Sequence, residues 1–324
     1  MLIVSFHKYI IFDLKLEPYN KVLEVKMLEE LKTFIAVVEY ENFTKAGESI
    51  NLSQPSVSVH IKNLEEYFNA KLITRSIKQK SISITEDGYL LYKRAKEILK
   101  LIDNTKDELK NISKTVKGHL KVGASFTIGE YFLPTFLAQF SKEYPEVEFE
   151  VIIENTANIC EKIKSMKLDI GLIEGVAPSV DFKQKYFLED RMVIMTSFNH
   201  ELTKQKFSYD NLQKQNWIAR ERGSGTREYL DMFLTTKEIT PKSMMVLGSN
   251  CAIKEAVKNN LGITLISNYV TEDGVKNDEL SVVELDGEYK RHFSYILPRD
   301  IMKSRATEVF IEKLIAYSEK KKAK

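Results

Sequence analysis

An apolar seam about a third of the way along the chain limits its fold more than any other sequence feature. Leu91, Ala95, Ile98, Ile102, Thr105, Leu109 and Ile112 step alternately by four and three residues. That is heptad spacing with Thr105 as its polar member, and it calls for one long helix. A stripe this narrow suits a partner helix better than a globular core. The spacing therefore predicts a helix over 85–113 that pairs with a second copy through Leu91, Ala95, Ile98, Ile102, Leu109 and Ile112. A helix packed on its own domain is the weaker alternative. Thr85 is placed to cap it, with Glu86 and Asp87 in the first turn, where they favour the helix dipole. In a chain of 324 residues this rod leaves a short segment before it and a long one after it, enough for about two domains.

The short segment, 27–84, reads as a compact head. Leu28, Leu31, Phe34, Ile35 and Val38 form the apolar stripe of a first helix. Asn42-Phe43-Thr44 interrupts it, and Thr44 is the expected cap of a short helix through Ile50. Ser53 then caps a third helix, with Pro55 in its first turn, running to about Phe68. Val57, Ile61, Leu64 and Phe68 fall on its inner arc. Pro55, Ser56, Val59, Lys62 and Asn63 lie opposite, on a face with no acidic residue through 63. Small polar residues let a helix sit deep in a DNA major groove. A solvated face on an ordinary bundle fits the periodicity about as well. The next segment tilts the balance: residues 69–84 hold Lys71, Arg75, Lys78 and Lys80 with no acid, then the alternating Ser81-Ile82-Ser83-Ile84. That predicts a β-wing with a basic tip lying along phosphates.

Residues 1–26 form an N-terminal extension whose apolar run is broken by His7, Lys8 and Asp13. It reads as neither a membrane span nor a signal peptide. Leu23-Glu24-Val25-Lys26 can be encoded by bases containing a ribosome-binding element, so Met27 is the expected natural start. A short extra strand or helix is the other reading. Composition adds exclusions. With 43% hydrophobic and 29% charged residues, wholesale disorder is excluded. Cys160 and Cys251, far apart and without CxxC spacing, exclude a disulfide scaffold, fit a reducing cytoplasm and read as buried small hydrophobes. The five histidines lack ligand spacing, and no metal or cofactor is expected. There is no Gly-x-Ser-x-Gly elbow or Walker A, so an enzyme is not expected.

From Gly118, after a hinge at 114–118, strands and helices alternate: strand 119–124, helix 128–142, strand 147–154, helix 156–167, strand 169–174. A similar series fills 190–267, and 279–297 with a final helix near 302–319 returns the chain. This order implies an α/β fold of two lobes, lobe I about 118–189 and 268–324 and lobe II about 190–267, with a cleft at the carboxyl ends of parallel strands. Candidate ligand groups stand at strand–helix junctions: Ser125 and Thr127, Asn155 and Thr156, Gly223-Ser224-Gly225-Thr226-Arg227, and Asn250. Free N–H groups and hydroxyls there favour an anion, Arg227 adds charge, and the glycines allow close backbone approach. Glu174 faces a ligand amine, a basic neighbour or the surface. Lys320-Lys321-Lys322 and Lys324 read as a frayed tail.

The run LKTFIAVVEYENFTKAGESINLSQPSVSVHIKNLEEYFNAKLITR, followed by Thr85-Glu86-Asp87-Gly88, resembles the winged helix-turn-helix of LysR-type transcriptional regulators. The resemblance implies that Gln54, Pro55, Ser56, Ser58 and Arg75 approach DNA. Gly47 replaces the second alanine of the usual pair, and His60 stands where glutamine is common. The fold implied is an N-terminal winged helix-turn-helix, a long dimerisation helix through 117, and a two-lobed periplasmic-binding-protein-like α/β effector domain over 118–324. Gly123-Ala124-Ser125, Gly171-Leu172-Ile173-Glu174-Gly175 and Arg220–Arg227 are similar to the CysL- and CbbR-like branch. That branch implies control of an assimilatory operon, for sulfur or carbon, by a small anionic metabolite. The partners implied are double-stranded DNA, the effector and further copies in a homodimer or homotetramer, with RNA polymerase as a candidate and no membrane. A solute-binding protein of the same two-lobed fold is the competing function. The formal charge of +2 then averages unlike parts: residues 118–324 carry 29 basic and 30 acidic side chains, against four basic and none acidic over 69–84.

Overall fold

Helix α1 (Tyr19–Tyr40) begins ahead of Met27, where the sequence pattern sets its start. The computed structural model describes residues 19–76, 81–110, 116–177, 182–287, 289–299 and 303–322. Most of the N-terminal extension, Lys78, Ile112 and Lys324 lie outside the described residues. The chain divides into two units, Met1–Leu101 and Ile102–Lys324.

In the first unit α1 packs on α2 (Phe43–Ser49) and α3 (Gln54–Phe68), burying Leu31, Phe34, Val37, Ala46, Val57, Ile61 and Leu64. The cap of α2 is Asn42 rather than Thr44: its Oδ1 accepts the N–H groups of Thr44 and Lys45 at 2.9 and 3.0 Å. Gly47 is required by space. A Cβ there would sit 2.5 Å from the Leu52 carbonyl oxygen, where the α2–α3 turn folds back. Ser53 caps α3 as expected, accepting from the Ser56 N–H at 3.3 Å. Phe68 departs from its expected inward place and is 43% exposed. The chain reverses at left-handed Asn69 (φ 47°) and supplies Leu72 and Ile73 to the core instead. Glu65 holds that reversal by accepting from the N–H groups of both.

Strands β1 (Ile73–Ser76) and β2 (Ser81–Ile84) pair antiparallel, Arg75 opposite Ile82, as the wing pattern predicts. Thr85 caps α4 (Glu86–Lys110) by accepting the Gly88 N–H at 2.9 Å and ties back to the Lys71 carbonyl. The seam needs correcting in its first heptad. Leu91 and Ala95 are buried in the head's own core, because α4 starts against α1 and is pinned there by Lys96 on Glu39. Farther along, Ile98 and Leu109 are exposed and Ile102 is half-buried.

The second unit opens with β3 (Gly118–Ala124), a π-helical turn (Ile128–Phe132), α5 (Leu133–Glu143), β4 (Val147–Ile153), α6 (Thr156–Lys164) and β5 (Ile170–Glu174). Next come β6 (Phe182–Ser197), β7 (Asn216–Arg220), α7 (Gly225–Thr236), β8 (Ser243–Leu247), α8 (Asn250–Lys258) and β9 (Thr264–Ser267). The chain closes with α9 (Asn268–Lys276), β10 (Leu280–Val283), β11 (Lys290–Pro298) and α10 (Arg305–Lys322). Lobe I is a sheet in which β4, β3 and β5 run parallel and β11 lies antiparallel on β5. Its aromatic core includes Phe132, Phe136, Phe140, Phe293 and Phe310. The 16-residue β6 serves both lobes: its first part pairs with β11, its last part with β9 and β10. A bridge from Ile263 to Trp217 carries lobe II on to the parallel β7 and β8.

One boundary moves. Residues 268–283, expected in lobe I, stay with lobe II: β10 pairs with the end of β6, and Val270 and Leu280 join the core of Met195 and Ile218. The return to lobe I comes at β11. The lysine-rich end is helical through Lys322, with Lys321 5.2 Å from the Tyr269 ring centre, rather than frayed. Cys251 is exposed and Cys160 buried, so the small-hydrophobe reading holds for Cys160 alone.

Candidate functional site

The cleft between the lobes is built where strands end and helices begin. The turn after β3 buries Ser125 and Thr127, and Asn155 caps α6, its Oδ1 accepting the Asn158 N–H at 3.0 Å. Ser224 stands at the start of α7, and Ser249 caps α8 so that Asn250 enters its first turn fully buried. Among the described residues the hydroxyls of Ser125 and Thr156, both buried, have no hydrogen-bond partner.

Two buried arginines organise these groups. Arg291, on β11 where the chain crosses between lobes, is 0% exposed. Its Nε donates to Asp190 at 2.6 Å, and Nη1 donates to Glu174 at 3.2 Å and to Thr226 at 3.0 Å. Nη2 reaches the Thr127 hydroxyl at 3.3 Å, and Ser267 donates to the other Asp190 oxygen at 2.7 Å. Burial pushes the Asp190 carboxyl above its ordinary range, against the pull of Arg291. Burial also opposes the Arg291 charge, but the two carboxylates outweigh it and raise its pKa. Two acids around one base in a closed core form a fixed pivot in which each charge depends on the others. Glu174 thus has its basic neighbour: it faces Arg291 and accepts the Thr127 N–H at 3.1 Å.

Arg220, 2% exposed at the end of β7, is the second centre. Its Nη1 donates to Asn250 at 2.9 Å, and its guanidinium lies 4.3 Å from the Phe126 ring centre. Nε and Nη2 grip the Glu221 carboxylate at 2.8 and 2.9 Å, and Asn155 Nδ2 reaches the same carboxylate at 3.2 Å. Burial alone would raise the Glu221 carboxyl, but the hydrogen bonds and charge of Arg220 outweigh it and hold the pKa below the ordinary value. Asn250 continues to Thr127 at 3.5 Å, so one polar chain joins the two arginines across the lobes.

Several expected residues take other places. Arg227 supplies no free charge to the cleft: its Nε holds Asp231 at 2.8 Å and its Nη1 the Arg220 carbonyl at 3.0 Å, an i,i+4 pair along α7. Gly223 does adopt a left-handed conformation (φ +85°), and its carbonyl accepts the Ala157 N–H of α6 at 3.0 Å, so the close approach is between lobes. Gly225 lies against the Glu174 backbone. Residues the sequence reading passed over are Arg220, Phe126, Glu221, Asp190 and Arg291. Arg220 had a legible signal, a basic residue closing a strand before a glycine turn. Arg291 had none, since its partner Glu174 is 117 positions away.

The head presents Gln54, Pro55, Val59 and Lys62 as exposed residues of α3, with Ser56 and Ser58 half-buried. Gln54 donates to the Ser58 hydroxyl at 3.0 Å, the Ser56 hydroxyl bonds Ser53 at 2.8 Å, and Lys62 faces Glu66 at 3.4 Å. Asn63 is not on this face: its Nδ2 turns back to Glu30 at 2.6 Å on α1, because Glu30 is buried and needs a donor. His60 likewise bonds Thr33 at 2.8 Å rather than facing outward. Arg75 stands on β1 of the wing. Among the described residues no His, Cys, Asp and Glu cluster could hold a metal, and no helix is long and apolar enough to cross a membrane.

Comparison with known proteins follows this division. Residues 28–89 match the model described as bacterial regulatory helix-turn-helix protein, lysR family, and residues 113–318 match the LysR substrate binding domain. The HTH-type transcriptional regulator CysL of Bacillus subtilis is 44% identical over 286 residues, covering 88% of this chain and 95% of that one. The regulatory domain of CcmR from Synechocystis, solved in complex with 2-PG, is 25% identical with a TM-score of 0.59, covering 62% of this chain and 98% of that one. A full-length OxyR variant from Pseudomonas aeruginosa has the same fold at a TM-score of 0.69 and 20% identity, over 89% of this chain and 94% of that one.

Proposed function

Because this chain belongs to the LysR family of bacterial helix-turn-helix transcriptional regulators, we propose that it switches an assimilatory operon of sulfur or carbon metabolism in response to a small anionic metabolite. The observation that carries the anion is Arg220. It is a buried guanidinium at a strand end, bonded to Asn250 at the start of α8 and linked through Glu221 to Asn155 at the cap of α6. The hydroxyls of Ser125 and Thr156, at the turns after β3 and β4, have no partner. The CcmR domain was solved with 2-PG, which supports the same ligand class. The 44% identity to CysL supports an operon of the branch to which that regulator belongs.

In this reading α3 enters the major groove, with Gln54, Pro55, Ser56, Ser58 and Val59 toward base edges and Lys62 toward phosphate; Arg75 and Lys78 of the wing follow the backbone. Two copies pair through α4 by Ile98, Ile102 and Leu109 and place two heads on two half-sites. The ligand favours one arrangement of the lobes, and lobe movement alters how dimers assemble into tetramers and present DNA to RNA polymerase. Such a regulator works in the cytoplasm. A solute-binding protein without DNA activity is not favoured, because the head matches as an intact family domain. The test is a thermal-shift panel of sulfate, thiosulfate, O-acetylserine, phosphoglycerate and NADPH. Stabilisation by an anion is expected; no stabilisation by any member contradicts the anionic-effector reading.

A further inference from the structure

Arg220 is held by the carboxylate of its own neighbour in sequence. Successive residues of a strand point to opposite faces. β7 ends at Arg220, so Glu221 can fold back and close a two-bond grip on the guanidinium at 2.8 and 2.9 Å. A carboxylate there is bound as an external oxyanion would be, by two guanidinium N–H groups and by Asn155 Nδ2 at 3.2 Å. The residue that caps α6 in lobe I thus holds a carboxylate from lobe II, and the neighbouring Ala157 N–H bonds the Gly223 carbonyl. Glu221 differs from Asp190 and Glu174 in one respect that matters. Their side chains are 0% and 3% exposed, while that of Glu221 is 28% exposed, so it has an open path to water. The buried hydroxyls of Ser125 and Thr156, at the turns after β3 and β4, have no hydrogen-bond partner.

We infer that the Glu221 carboxylate is a built-in occupant of the effector's anion subsite and that an anionic effector binds by displacing it from Arg220 and Asn155. The inference rests on the cleft being an anion site. Glu221 is then a specificity-determining residue. It sets the concentration at which the effector wins, and it excludes weak anions that cannot replace a charge-assisted, two-bond pair. Glu221 leaves as the ligand enters, so a negative group faces Arg220 in both states, and the contact from Asn155 passes from a protein carboxylate to the ligand.

The test is calorimetric titration of the full chain with sulfate and with inorganic phosphate at constant ionic strength, for wild type, Glu221→Gln and Glu221→Asp. Apparent affinity scales with the fraction of sites free of the competitor. If Glu221 holds the site nine-tenths of the time, Glu221→Gln binds about tenfold tighter. Glu221→Asp, one methylene short of the full grip, falls between. Because Glu221→Gln leaves Arg220 buried with less compensation, its melting temperature without anion falls, and added sulfate or phosphate raises it by more than in wild type. Wild type binding an anion while both variants bind it equally or more weakly overturns the inference and leaves the anion site standing. No binding to wild type or to either variant overturns both.

Discussion

Arg291→Met is the most informative single change in the effector unit. Arg291 is 0% exposed and donates to Asp190 at 2.6 Å, Glu174 at 3.2 Å, Thr226 at 3.0 Å and Thr127 at 3.3 Å. Methionine fills much of the volume but leaves two buried carboxylates without a counter-charge. Glu174 keeps the Thr127 N–H and the Thr226 hydroxyl, and Asp190 keeps Ser267. Removing one member of a buried ionic group costs about 3–5 kcal/mol. For a unit of this size each kcal/mol lowers the melting temperature by about 2–4 °C, so the expected fall is roughly 6–20 °C. Differential scanning calorimetry of the full chain reads it, with the transition of the first unit as internal control. The sign with pH is also fixed. Asp190 already has its carboxyl raised by burial, and losing Arg291 raises it further. A folded-state pKa above the unfolded value means that the carboxylate destabilises the fold at high pH and that protonation removes this cost. The deficit therefore narrows as pH falls, and Asp190→Asn in the Arg291→Met background recovers much of it. A loss below about 1 kcal/mol, or a deficit that grows on acidification, refutes the pivot; the lower bound is that of an ordinary exposed pair.

Gly47→Ala should destabilise the head, whereas glycine to alanine in an open helix gains about 1 kcal/mol; the new Cβ would lie 2.5 Å from the Leu52 carbonyl oxygen, and chemical denaturation reads the difference. Of the two thiols, exposed Cys251 should react promptly with an aromatic disulfide reagent, while Cys160, buried and with its pKa pushed up to about 11, reacts only on unfolding. Equal rates for both would contradict the placement of Cys160 in the core of lobe I.

What the sequence revealed followed the range of the interaction. Local patterns read through well: the caps at Ser53 and Thr85, the wing strand 81–84, and the alternation of β3 to β5 with their helices each depend on residues within a turn or two. The errors were local competitions or distant contacts. Asn42 and Thr44 both cap well, and the backbone chose the former. Leu91 and Ala95 satisfy a heptad but also face a head that the periodicity of α4 alone cannot show. Asn63 has the right helical angle for an outer face, yet Glu30 on another helix draws it inward. In the cleft, the junction residues Ser125, Thr127, Asn155, Thr226 and Asn250 were legible because strand–helix turns mark them. Asp190 and Arg291 were not, because they meet only where β6 and β11 cross between lobes. Arg227 looked like the cleft's cation, and Arg220, seven positions earlier, is the one that lies there.

A DNA-binding regulator that responds to an anion in its cleft reveals both properties in one fluorescence anisotropy experiment. A labelled duplex from the chain's own upstream region is titrated against a scrambled duplex, with and without the stabilising anion. Specific binding that weakens steeply between about 50 and 200 mM salt is predicted, with a shift in affinity or stoichiometry on adding the anion and a loss on both duplexes for Lys62→Ala. Equal binding to the two duplexes, or none to either, would contradict the account.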